Sequence, residues 1–256
     1  MFSNRKWACL LLCLLLPTGI ALAEPVELTV FAAASLTEAL TEIAEQYRVV
    51  APDVTVSFNF DSSGTLKTQI EEGAPCDLFL SAAQKQMNQL EEMEAILPDS
   101  RVDLLENQVV LAVPEGNPKG IEAFADIAGA ELIALGNEDV PVGAYSIEIL
   151  THLGLLDALS AEGRITYGSN VKEVTTQIAE ASVDCGIIYA TDAASARLTI
   201  VDAAAEMCSP VIYPVAVLAD SAEAQAAQAF LDYLTGDAAA QVFRSVGFAM
   251  VAPDGD

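Results

Sequence analysis

Two serine-bearing turns carry the residues with most chemistry to offer. In Phe31-Ala32-Ala33-Ala34-Ser35-Leu36-Thr37-Glu38, an apolar run gives way to helical spacing at Leu36, Ala39, Leu40, Ile43 and Tyr47. Ser35 sits at the switch and Glu38 follows three residues later, the spacing of a capping box. Asp61-Ser62-Ser63-Gly64-Thr65 makes a second switch of the same kind, with extra hydroxyls and a glycine that allows close backbone approach. A helix start leaves backbone N–H groups unpaired and carries partial positive charge, so it can hold an anion. Ordinary capping accounts for either turn taken alone.

Two later turns echo the pair. In Asp139-Val140-Pro141-Val142-Gly143 the proline has no N–H, which makes Val142 the first free donor of the helix. In Ser169-Asn170-Val171-Lys172-Glu173, Asn170 suits an N-cap and Val171 presents its N–H at the first helical position. Capping again suffices for each by itself. Tyr189 ends the apolar stretch Gly186-Ile187-Ile188; such a tyrosine is ordinarily a core residue with a wet hydroxyl, and it is also a donor at a strand end.

Several chemistries lack their parts. His152 is the single histidine and lies in a helical pattern, where a surface or helix-end position is expected. No CxxC pair occurs and the cysteine spacings do not suit zinc. Serine-hydrolase and metal-hydrolase constellations are therefore missing, and neither catalysis nor a cofactor is expected. The formal charge of −26 argues against nucleic acid or anionic lipid as partners, because both need a basic surface. It leaves room for a small anion if the site works through dipoles instead of side-chain charge.

The elements that must position these turns alternate along the chain. Arg5 and Lys6, the apolar run Trp7–Leu16 and Ala21-Leu22-Ala23 form a secretory signal pattern over residues 1–23, so an exported, soluble protein is expected. Removing that segment takes away two basic and no acidic residues, which makes the remainder more acidic still. Cys76, Cys185 and Cys208 would then sit in an oxidising compartment; if a pair forms there, Cys185 with Cys208 is preferred because both lie in the same half of the chain.

Short apolar runs then alternate with amphipathic helices, the pattern of an α/β fold with largely parallel sheets. Strand–helix–strand units with right-handed crossovers end neighbouring strands on one sheet edge, roughly 5 Å apart, so Ser35 and Ser63 can converge on one small ligand. Pro114, Gly116, Asn117, Pro118 and Gly120 mark a change of domain. We expect two lobes, 24–108 plus 216–256 and 109–215, joined by two crossover segments that make a hinge.

At this point the residues resemble a known family. Thr29–Leu36, Ser63-Gly64-Thr65-Leu66, Gly73–Phe79, Val140-Pro141-Val142-Gly143, Gly186–Tyr189 and Tyr213–Val217 are similar, in order, to segments of the periplasmic molybdate-binding proteins of ABC transporters. The resemblance implies a two-lobed type II periplasmic binding fold that closes on molybdate or tungstate and delivers it to a membrane permease, the chain acting as a monomer in the periplasm. It implies that Ser35 and Ser63 hold the oxyanion through hydroxyl and N–H, Val142 and Val171 through backbone N–H, and Tyr189 through its hydroxyl. The metal would be held only as its oxyanion, with no direct metal ligands.

Three departures bear on that site. Gly64 stands where a third serine is often found, Val142 where a smaller residue is expected, and Asp61 is near enough to accept a proton from the wrong anion. Lys172 should point away from an uncharged site. A receptor for sulfate or another tetrahedral oxyanion is the alternative.

Overall fold

The computed structural model describes residues 25–252; the expected signal segment lies outside them. In the first sheet, β1 (Val26–Ala33) pairs in parallel with β2 (Val54–Asp61) in unbroken register from Val26↔Val54 to Ala33↔Asp61. A short 3-10 turn, Ala34–Leu36, leads from β1 into α1 (Thr37–Val50), and α2 (Ser63–Glu71) follows β2 after a single residue. Then come β3 (Leu78–Leu80), α3 (Gln84–Glu92) and β4 (Val102–Asn107). The chain crosses after Asn107 and enters the second sheet as β5 (Val109–Val113).

The second lobe comprises β6 (Ile133–Gly136), α4 (Pro141–His152), α5 (Leu156–Ala161), β7 (Ile165–Gly168), α6 (Val171–Ala179), β8 (Cys185–Tyr189), α7 (Ala190–Ser195) and β9 (Thr199–Ala203). The chain returns as β10 (Val211–Val217) and ends with α8 (Ala224–Leu234), α9 (Asp237–Ser245) and β11 (Ala249–Met250). Strand orders are β11-β4-β10-β3-β1-β2 and β7-β6-β8-β5-β9.

The α/β architecture is as expected, but the sheets are mixed. β10 runs antiparallel to β3 and β4, and β5 runs antiparallel to β8 and β9, because each of these strands arrives by a crossover from the other lobe. All of β10 belongs to the first sheet, so the return crossing falls before Val211 and not at the expected 215/216 boundary. Pro214 is tolerated inside this central strand because the register shifts between Tyr213 and Pro214, where no ladder N–H is required.

Period-two alternation packs both faces of the first sheet. Leu28, Val30 and Ala32 of β1 join a core with Leu36, Leu40, Ile43, Phe230 and Phe243, while Phe31 packs with Leu66, Phe79, Met87 and Leu90 on the opposite face. Cys76, Cys185 and Cys208 are all unpaired thiols, and the expectation that Cys185 would join Cys208 if a pair forms is not met. His152 is exposed at the last position of α4, as its place in the sequence suggested.

Candidate functional site

Sheet register builds the site. Ala33 pairs with Asp61, and Ser35 and Ser63 each lie two residues beyond that pair, so both emerge at one sheet edge. Ala32 pairs with Leu80 on the other side of β1, and Ala82, two residues on, reaches the same edge. In the second lobe Gly136 pairs with Gly168, which brings the starts of α4 and α6 side by side. A small, narrow pocket lies where the two edges meet, walled by Ala33, Ala34, Ser35, Asp61, Ser62, Ser63, Ala82, Val140, Pro141 and Val171. Asp61 is its one charged wall residue; no lysine or arginine lines it.

Each serine is oriented by a neighbour. Ser63 is fully buried, and its Oγ accepts the Ala82 N–H at 2.9 Å, which leaves its own proton to donate elsewhere. Ser35 Oγ lies 3.0 Å from the Tyr213 hydroxyl, and Asn107 Nδ2 donates to that same hydroxyl at 3.2 Å. With Asn107 donating to Tyr213, the phenol is free to donate a hydrogen bond to Ser35 Oγ, an arrangement that leaves the Ser35 proton for a ligand. Burial pushes the Tyr213 phenol far up, so it keeps that proton. Sequence reasoning missed this relay, because nothing local ties Tyr213 to Ser35 or Asn107.

Ser35 does not cap a helix. It lies within the 3-10 turn, α1 begins two residues later, and Leu36 occupies the N-cap position without a side-chain bond. Glu38 turns away from Ser35 altogether. It accepts both a 2.8 Å and a 2.9 Å hydrogen bond from Lys172 Nζ and a 3.2 Å bond from Ser195 Oγ, all from the second lobe. The capping box implied by S-x-x-E is therefore absent. Asn170 does cap α6, its Oδ1 accepting the Glu173 N–H at 3.1 Å. In α2 it is Ser62, not Ser63, that caps, by accepting the Thr65 N–H.

Val171 is the first residue of α6 and Val142 the second of α4, positions whose N–H groups have no intrahelical acceptor. Val171 forms part of the pocket wall; Val142 follows the wall residue Pro141, with its side chain fully buried in the core. Tyr189 ends β8 with its ring edge-on to Tyr213, centroids 5.8 Å apart. Its hydroxyl is buried and has no hydrogen-bond partner, and burial, with Tyr213 adding to it, raises the phenol so that it remains a donor. Ser35, Ser63 and Val171 thus line the pocket, whereas Val142 and Tyr189 are not among its wall residues.

The departures at Gly64 and Asp61 acquire a structural meaning. Gly64 N–H donates across the cleft to the Asp139 carbonyl at 3.0 Å, and a Cβ built on Gly64 would stand only 2.4 Å from that oxygen. This residue joins the lobes and keeps its donor from the pocket. Asp61 Oδ1 accepts from the Ser62 N–H at 2.7 Å and from Asn170 Nδ2 of the other lobe at 3.4 Å. Lys172 indeed lies off the pocket, tied to Glu38 and, at 3.0 Å, to Asp192 Oδ1. Among the described residues no group of three or more histidine, cysteine or acidic side chains could hold a metal ion directly.

Two sheets joined by paired crossings, with donor-bearing helix starts facing each other across a cleft, define a two-lobed α/β binding protein. Residues 28–249 match the family described as bacterial extracellular solute-binding protein, and the chain belongs to it. It is 39% identical over 228 residues to a putative ABC transporter substrate-binding lipoprotein, YvgL, of Bacillus subtilis, covering 88% of this chain and 87% of that one. It is 36% identical over 242 residues to the molybdate-binding protein ModA of Haemophilus influenzae, covering 90% and 93%. The solved structure of the Azotobacter vinelandii periplasmic molybdate-binding protein superposes with a TM-score of 0.78 at 26% identity, covering 89% of this chain and all of that one.

Proposed function

We propose that the protein binds molybdate, and tungstate, outside the cytoplasm and hands it to the permease of an ABC transporter. The observation that carries this reading is a pocket supplied with hydroxyls and helix-start N–H groups from both lobes and with no cationic side chain. Hydrogen bonds to an anion are charge-assisted and stronger than neutral ones, so donors of this kind can hold a dianion without lysine or arginine. That resolves how a chain of charge −26 binds an anion. Family membership and the names of the relatives point the same way.

Discrimination follows from proton count. Molybdate, tungstate and sulfate carry no proton at neutral pH, whereas hydrogen phosphate does. A set of donors leaves that proton unpaired, at a cost of about 1–3 kcal/mol. The exception on the wall is Asp61: its Oδ1 accepts from Ser62 and Asn170, and its second oxygen is left as an acceptor for such a proton. Ligand size then separates molybdate from sulfate.

Tyr189 supplies a test with opposite signs for two readouts. Its buried hydroxyl lacks a partner, an arrangement that costs stability in the ligand-free protein and that an anion oxygen relieves. Tyr189→Phe is expected to leave the ligand-free melting temperature unchanged or higher while weakening molybdate binding by about tenfold or more. Calorimetric titration beside thermal melting checks both; a variant that binds molybdate as tightly as the parent removes Tyr189 from the site.

A further inference from the structure

We propose that Glu38, Lys172 and Asp192 form a latch that holds the two lobes together and sets how long a bound anion is retained. The proposal rests on the reading above that the ligand is enclosed between the lobes. Lys172 directly follows Val171 on α6, and Glu38 lies three residues beyond Ser35 on α1. Each half of the latch therefore rides on an element that also carries an anion donor, one in each lobe.

The trio is asymmetric, and the asymmetry gives each member a role. Asp192 on α7 is completely buried, and Lys172 Nζ, 3.0 Å from its Oδ1, is its one charged partner among the described residues. Both residues belong to the second lobe, so this pair persists whether the cleft is open or shut. It holds the ammonium in place. Glu38 is the partly exposed end that engages only when the lobes meet, taking Lys172 on both oxygens and Ser195 on one.

Charge in the trio supports this division. Burial raises the Asp192 carboxyl to about 6 despite the relief from Lys172, while Glu38 is held below its usual range because Lys172 outweighs the cost of its burial. The lysine is raised in turn by Asp192 and Glu38 against its own burial. The ammonium is thereby committed to two carboxylates and contributes little net positive charge to the nearby pocket.

A contact made only in the closed form changes affinity through the open–closed equilibrium, and it acts mainly on dissociation. Half-exposed ion pairs are individually weak, and a doubly bonded, charge-assisted one lies at the upper end of that range. Two cross-cleft contacts at the pocket rim, Gly64 N–H to Asp139 and Asn170 to Asp61, remain when the latch is cut. Loss of the latch should loosen closure without abolishing it.

The test combines Glu38→Gln with a Lys172→Met/Asp192→Asn variant that spares the protein an unpaired buried carboxylate, and with the triple variant. Molybdate is titrated calorimetrically, its release is followed by stopped-flow tyrosine emission, and the ligand-free proteins are compared by small-angle scattering. Glu38→Gln should bind molybdate about threefold to tenfold more weakly, with the change in the release rate, and should have a larger ligand-free radius of gyration than the parent. In the Lys172→Met/Asp192→Asn background the same change should have little further effect. Unchanged release and unchanged scattering in Glu38→Gln would overturn the latch, as would a full effect of that substitution without the lysine. Failure of the parent protein itself to bind molybdate would instead refute the functional reading, with scattering still deciding the latch.

Discussion

Replacing Ser63 by alanine is expected to weaken molybdate binding roughly tenfold to a hundredfold and to lower stability as well. Two functions are lost together. The Ser63 proton, free because its oxygen accepts the Ala82 N–H, no longer reaches the anion, and a hydrogen bond to a charged group contributes about 1.5–3 kcal/mol. The Ala82 N–H is left buried without an acceptor, which costs about 1–3 kcal/mol even in the ligand-free protein. Ser35→Ala should likewise show both effects, because the buried Tyr213 hydroxyl keeps its bond from Asn107 but loses the acceptor for its own proton. Calorimetry and thermal melting on both variants separate the two contributions. A Ser63→Ala protein with parental affinity would remove this hydroxyl from the anion's coordination.

The second large effect is expected at Gly143, beside the donor Val142. Gly143 packs so closely on the end of β6 that an added Cβ would lie 2.3 Å from the Asn137 carbonyl oxygen and 2.4 Å from that of Gly136. These are backbone atoms, so relief requires moving α4 away from its strand. Gly143→Ala should therefore destabilise the protein by about 2–3 kcal/mol, the scale of overpacking in a tight interior, even though alanine is the better helix former. The same shift displaces Pro141 and the Val142 N–H, so affinity should fall in whatever folded protein remains. Gly129→Ala is the control: it meets nothing within 4 Å and should stay within about 0.5 kcal/mol of the parent. Equal melting of the two variants would show that α4 can move freely.

Much of the architecture was legible because its signals are local. The strand-to-helix switches at Ser35, Ser63, Val142 and Val171 could be read from apolar runs that change period, and parallel register then forces the paired turns together. Asn170 reads as an N-cap and is one. Local signals also misled. S-x-x-E at Ser35 and Glu38 describes a capping box, but Lys172 and Ser195, far away in sequence, claim the carboxylate and the tyrosine relay claims the serine. β4, reading Val-Asp-Leu-Leu-Glu-Asn, has no clean alternation and is a strand because β10 and β11 pair with it. The place of Val211–Val215 was misjudged for a related reason, since a proline inside a strand reads as a break until the bulge that accommodates it is seen.

Neither the relay through Asn107, Tyr213 and Ser35 nor the latch through Glu38, Lys172 and Asp192 is a sequence motif. Each joins residues more than a hundred positions apart, and only the folded hinge brings them together. The serines and helix starts lie at local switches of the chain, and these long-range contacts fix their neighbours.

A donor-lined pocket without cationic side chains should select an unprotonated oxyanion. Calorimetric titration of the protein at neutral pH with molybdate, sulfate and phosphate in turn tests it most directly. Molybdate should bind tightly at one site per chain, and sulfate and phosphate should both bind more weakly. Phosphate or sulfate binding as tightly as molybdate, or no binding of molybdate at all, would contradict it.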